Sequence, residues 1–295
     1  MVTATRDTKD PINKIDTIDM TNMTGMIGTI RSRAKACRAR VGIGIADGTA
    51  SKSVIADIES AYRFADVVLI GDEKELSITG TDLEIIHSDN PEVELVDRLV
   101  GGRIDAAVRG TLGATKTLGY LKSALGVSRL ARLALLTTAG GVPFFLVPVG
   151  IDEGNSVADR VDLVYRSVNA IRRFGIIEKV AVLSGGRFED AGRSEIVDQS
   201  LADSEVVTGM LCERGIDAKH YGILIEDAIR AANVIVAPDG ITGNLIFRTL
   251  TFLGGGGGFG APVLADLVFV DTSRVKVKFS DAIMLASALV WGAER

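Results

Sequence analysis

The feature that most constrains the fold is an alternation. Short aliphatic stretches end at a glycine- or aspartate-bearing turn, and a segment with apolar residues at helical spacing follows. Arg40-Val-Gly-Ile-Gly-Ile-Ala46 runs into Asp47-Gly48-Thr49 and then the helical pattern of 53–65. The stretch 66–71 ends at Gly71-Asp72. The same unit recurs at 104–125, 179–214 and 233–253, and the strand-like run 264–270 precedes a closing helix over 281–289. Strand, crossover helix and next strand in this order predict a parallel sheet covered by helices. Composition agrees: hydrophobic residues make up 47% and aromatics only 5%, as in sheets whose buried strands are aliphatic.

Two strand-like runs, 130–137 and 143–149, are separated by Gly140-Gly141 without a helix. They predict an antiparallel element where two α/β units join. The expected fold class is therefore α/β, with two sub-domains, mainly parallel sheets and a cleft between them. The first sub-domain is expected over 25–137 plus 261–295 and the second over 138–260. Residues 1–24 read as a polar arm. The helix over 194–214 is expected to break near Asp203.

Charge and composition exclude several classes. The formal net charge is -5, which argues against nucleic-acid and anionic membrane partners. No apolar run reaches membrane-spanning length, and the polar N-terminus lacks a signal pattern, so a cytoplasmic protein is expected. The two cysteines and two histidines form no metal-ligand spacing and no recognisable nucleophile motif, so no metal is expected and Ser-His-Asp chemistry is disfavoured.

Parallel sheets bind ligands where strands end and helices begin. Four such turns follow Ala46, Val108, Leu183 and Ala237. The last, Pro238-Asp-Gly-Ile-Thr-Gly-Asn244, is the densest in glycine and polar groups, with Arg248 one helical turn beyond Asn244. Thr242 or Asn244 can cap the helix, and its exposed N–H groups suit an anion. The plain alternative is an ordinary capped turn. Arg109, Thr111 and Thr115 form a similar turn. The run Gly254–Gly258 reads as a helix end followed by tight packing. Ser273-Arg274 can grip phosphate, whereas Lys276 and Lys278 read as the wet face of a strand. Asp281 is either the acid that caps the last helix or a carboxylate base in the cleft.

Together these segments resemble the phosphate acyltransferase family, which includes phosphotransacetylases and phosphotransbutyrylases and, more distantly, PlsX-type enzymes. Pro238, Asp239, Gly243 and Asn244 match the family's Pro-Asp-x-x-x-Gly-Asn-x-x-x-Lys segment, with Arg248 in place of the Lys. Ser273-Arg274 and Asp281 match its Ser-Arg pair and the Asp that opens its last helix. Ser184 and the Arg109–Thr115 loop match less specific positions, and Asp152 with Asn155 resembles an Asp…Asn element. The chain is most similar to the MtxX branch from methanogenic archaea, whose members are labelled methyltransferase-related. It departs from the family at Val275–Lys278, about one residue longer, and at Val268, near a usual proline.

The resemblance implies two α/β domains related to those of isocitrate and isopropylmalate dehydrogenases. It implies acyl transfer between phosphate and a thiol such as coenzyme A. Asp281 would be the base, and Ser273 and Arg274 would hold phosphate or polarise the carbonyl. Arg109, Thr115, Ser184, Asp239, Thr242, Gly243, Asn244 and Arg248 would bind substrate. No tightly bound cofactor is implied, coenzyme A would be a substrate, and a homodimer is expected. Two other readings stay open: methyl transfer on another anionic substrate, and a non-catalytic binding protein.

Overall fold

The computed structural model describes residues 20–273 and 278–291. The described residues open with α1 (Met20–Cys37), so a helix already occupies the end of the expected N-terminal arm. Residues 1–19 lie outside the described residues. The first alternating run follows: β1 (Arg40–Gly44), α2 (Lys52–Glu59), β2 (Asp66–Gly71), α3 (Glu73–Ile78), β3 (Glu84–His87), α4 (Pro91–Val100), β4 (Ala106–Val108) and α5 (Ala114–Leu125). The hairpin of β5 (Ala134–Thr137) and β6 (Pro143–Val147) is antiparallel, as its helix-free connection predicts. The second run is α6 (Val157–Arg173), β7 (Val180–Val182), α7 (Glu195–Glu213), β8 (Ala218–His220), α8 (Ile225–Ala231), β9 (Val234–Val236) and α9 (Gly240–Phe252). The chain closes with β10 (Gly257–Pro262), β11 (Val268–Asp271) and α10 (Ser280–Val290).

Among the described residues eleven strands form one hydrogen-bonded series in the order β3-β2-β1-β4-β11-β10-β5-β6-β9-β7-β8. β3, β2, β1, β4 and β11 are parallel, and so are β6, β9, β7 and β8. Between these blocks β10 pairs antiparallel with both β11 and β5. The strands at the middle of each block are buried along their length, in keeping with their Val, Ile and Ala content. Helix α10 returns to the first block and packs against α1. There Ser287 Oγ accepts from the Ala39 N–H (3.1 Å) and donates to the Phe64 carbonyl (2.7 Å).

Three local expectations change. Helix α7 is unbroken past Asp203, because Ser204 is buried and its hydroxyl donates to the Leu183 carbonyl at 2.9 Å. The glycine run is more than a helix end. Gly254 and Gly256 close α9 through bonds to the Thr249 and Leu250 carbonyls, and Gly257 begins strand β10. A Cβ at Gly256 would stand 2.5 Å from the Thr137 carbonyl oxygen, so side-chain-free backbone is what lets β10 join β5. Helix α9 also begins at Gly240, ahead of both expected caps, Thr242 and Asn244.

Candidate functional site

A cleft of about 810 Å3 opens where the two parallel blocks meet β5 and β10. Asp271, Thr272 and Ser273 reach it from the end of β11, and Asp281 from the first turn of α10. Asn244, Phe247, Arg248, Thr251 and Phe252 reach it from one face of α9. Their spacing of three and four places them on one flank of the helix. Gly255 to Gly258 and Gly260 give the cleft a floor of bare backbone.

The turn at 238–244 contributes differently from its sequence reading. The N-cap of α9 is Asp239, whose carboxylate accepts from the Thr242 N–H at 2.7 Å and its hydroxyl at 3.1 Å. An acid at the cap itself supplies the negative charge favoured at a helix N-terminus. Asp239, Thr242 and Gly243 do not line the cleft; they hold α9 in place. A Cβ at Gly240 would sit 1.7 Å from the Gly150 carbonyl oxygen, and one at Gly243 1.9 Å from that of Pro148. Both neighbours are backbone, in the loop that follows β6 and its cis Val147–Pro148 bond. Asn244 Nδ2 donates to the Val149 carbonyl in the same loop at 3.0 Å. Gly243→Ala is therefore expected to destabilise the fold by about 1–3 kcal/mol, as overpacking does, measured by urea unfolding.

Asp281 is not the cap of α10. Asp57 of α2 fills that role: its carboxylate accepts from the Phe279 N–H, from the Ser280 N–H at 3.0 Å and from the Ser280 hydroxyl at 2.8 Å. Among the described residues no hydrogen bond or ion pair engages the Asp281 carboxylate, which faces the cleft near the positive end of α10. Across the cleft, Arg248 rests on the Phe252 ring, 5.3 Å from its centroid, and has no carboxylate partner among the described residues. Lys278 is exposed and also lines the cleft.

A chain of buried and half-buried charges forms part of this wall and runs behind it. Arg109 Nε donates to Asp271 Oδ1 at 2.5 Å, and Asp271 Oδ2 accepts from Arg132 Nη1 at 3.1 Å. Arg132 Nε donates to Glu153 Oε1 at 2.7 Å, and the other Glu153 oxygen accepts from the Val149 and Gly150 N–H groups. Burial alone would lower the Arg132 pKa, but Glu153 and Asp271 together hold it above its ordinary value. The network ties β4, β11, β5 and the loop after β6, which come from both sequence halves. Arg109 thus lines the cleft as a member of this network. Sequence reading missed Arg132, which lies in no motif, and Glu153, which lies inside the Asp152…Asn155 element but was not singled out. Their only signal was a charge beside aliphatic strand residues.

The remaining expected residues lie elsewhere. Thr115 is exposed on the first turn of α5 and does not line the cleft. Ser184 is buried away from it, and its hydroxyl meets His220 Nε2 at 2.9 Å while His220 Nδ1 meets Glu205 Oε2 at 3.1 Å. The sequence reading had set Ser-His-acid arrangements aside, yet one forms here; the Ser184 residue is only 2% exposed. Arg274, with Val275 to Val277, lies outside the described residues. No group of three or more His, Cys, Asp or Glu side chains suited to a metal occurs among the described residues. None of the described helices is long and apolar enough to cross a membrane.

No family model matches the sequence. The chain is 54% identical over 266 residues to a Methanosarcina mazei protein named "Putative methyltransferase mtx subunit X", covering 88% of this chain and 93% of that one. It is 39% identical over 221 residues to an uncharacterized methyltransferase of Methanocaldococcus jannaschii, covering 70% and 88%. Its fold is similar to a phosphotransacetylase from Streptococcus pyogenes, with a TM-score of 0.66 at 16% identity over 91% of this chain and 99% of that one. It is also similar to the EutD phosphotransacetylase from Staphylococcus aureus, with a TM-score of 0.62 at 15% identity over 92% and 98%. The phosphotransacetylase likeness establishes the shared α/β architecture, and the sequence identity sets the nearer kinship: this chain belongs to the mtx subunit X family.

Proposed function

We propose that the protein is a transferase that moves an acyl group between phosphate and a thiol such as coenzyme A. One observation carries the proposal: a carboxylate relieved of helix capping, Asp281, faces a cleft whose other wall presents the guanidinium of Arg248, which has no carboxylate partner among the described residues. The likeness to phosphotransacetylase folds supports it.

In this reading Asp281 takes the proton from the thiol, and the thiolate attacks the carbonyl carbon of the acyl phosphate. The tetrahedral oxyanion collapses, the carbon–oxygen bond to phosphate breaks, and a thioester and phosphate remain. Arg248, Lys278 and Ser273 line the space where the phosphate charge would lie. Preorganised donors aimed at developing charge contribute roughly 3 kcal/mol each.

Arg248→Ala is expected to weaken phosphate binding about tenfold, the equivalent of ~1.4 kcal/mol, measured by calorimetry. Unchanged affinity would remove Arg248 from the anion site.

A second reading, methyl transfer on another anionic substrate, is favoured by the names of the sequence relatives and by the cleft's size. Phe247, Phe252 and Phe259 with the glycine floor leave room for a body larger than a short acyl group. Binding of a pterin or corrinoid without binding of coenzyme A would select this reading.

A further inference from the structure

The extended segment that enters β5, where Arg132 bridges Val263, has a second side. Side chains alternate across a strand, so Arg132 and Ala134 face the cleft while Ala131 and Leu133 face away from it. On that far side lies a crevice of about 480 Å3 between α1, α6 and α10. Leu133, Phe145 and Leu285 are among the buried residues that form its apolar lining.

Four arginines also line the crevice: Arg33, Arg129, Arg166 and Arg173, against one carboxylate, Asp266. Two are at least partly compensated, each by a carboxylate outside the lining. Arg129 pairs with Asp159 at 3.2 Å, and Arg166 donates to the Leu264 carbonyl, with Asp162 at 3.8 Å. The other two have no carboxylate partner among the described residues. Arg33 donates to the Arg173 main-chain carbonyl and lies 5.7 Å from the Phe174 ring centroid, which brings its guanidinium to the end of α6 beside Arg173. A deep apolar lining with uncompensated guanidinium groups at its edge is complementary to an anion that carries an apolar body. An extended polyanion would leave the apolar lining uncovered, and a neutral apolar molecule would leave the guanidinium groups unmatched.

We propose that this crevice binds a monomeric aliphatic anion, an alkyl chain ending in a phosphate or carboxylate. The tail lies over Leu133, Phe145 and Leu285, and the head group sits between Arg33 and Arg173. The site is separate from the cleft, lies one strand's thickness from Arg132, and does not depend on the chemistry proposed there.

The test is calorimetric titration of the full chain with dodecyl phosphate below its micelle-forming concentration. Saturable binding is expected, weakened at least tenfold in Arg33→Gln/Arg173→Gln and in Ala170→Trp, which fills the crevice from α6, and retained in Arg248→Ala, which removes only a second site in the cleft. Circular dichroism confirms that each variant is folded; if Ala170→Trp is not, the arginine pair decides alone. Absence of saturable binding would overturn the proposal. So would equal affinity for dodecanol, or loss of binding in Arg248→Ala. Binding confined to phosphatidylglycerol vesicles would instead assign the patch to a membrane surface. Self-association abolished by Ala170→Trp, without dodecyl phosphate binding, would assign it to a second copy of the chain; either result contradicts the proposal.

Discussion

Asp271→Ala is expected to lower the unfolding free energy by about 3–5 kcal/mol, the usual cost of removing one partner from a buried ion pair. Asp271 stands between Arg109 and Arg132, and the three side chains are 13%, 5% and 15% exposed. Without the carboxylate, two guanidinium groups face each other in a poorly solvated space, with Glu153 left to balance only one of them. For a chain of this size the loss corresponds to a fall in Tm of roughly 5–8 °C. Asp271→Asn keeps the shape and can still accept one bond from an arginine, so a smaller loss is expected. Calorimetric unfolding of both variants checks the prediction. Equal stability of wild type and Asp271→Ala would show that the network contributes nothing to joining the two blocks.

Asp281→Asn is expected to reduce kcat by about 10^2- to 10^4-fold while leaving the fold intact, the range associated with a positioned general base. The two effects separate because Asp57, not Asp281, caps α10. An amide at 281 keeps the size of the side chain but cannot take a proton from a thiol. KM for the acyl phosphate is expected to change little, because the phosphate charge is assigned to Arg248 and its neighbours. A mutant as active as wild type would remove Asp281 from the chemistry. A mutant that unfolds would mean that it supports the helix after all.

How far the sequence revealed these arrangements depended on how local each one is. The alternation of aliphatic strand and amphipathic helix marked most strands, because buried parallel strands are written as contiguous Val, Ile and Leu. Asn244 and Arg248 were placed on one face by helical spacing alone, and α9 keeps that spacing. β10 was hidden because strand signals come from side chains, and most of its start has none. Asp239 was read as part of a ligand turn because a capping acid and a binding acid look alike until the backbone around them is seen. Asp57 capping α10 spans more than two hundred residues, and Arg132 meets Asp271 across 139. Contacts at such separations leave no spacing pattern in a single sequence. The Ser184, Glu205 and His220 cluster was missed for the same reason: three elements bring the residues together, and no motif joins them.

Formation of a thioester from coenzyme A and acetyl, propionyl or butyryl phosphate by the purified wild-type protein tests the central claim most directly. The account predicts thioester accumulation with release of one phosphate per turnover, lost in Asp281→Asn and weakened in Arg248→Ala. Absence of thioester with all three acyl phosphates, from a protein shown to be folded, would contradict it.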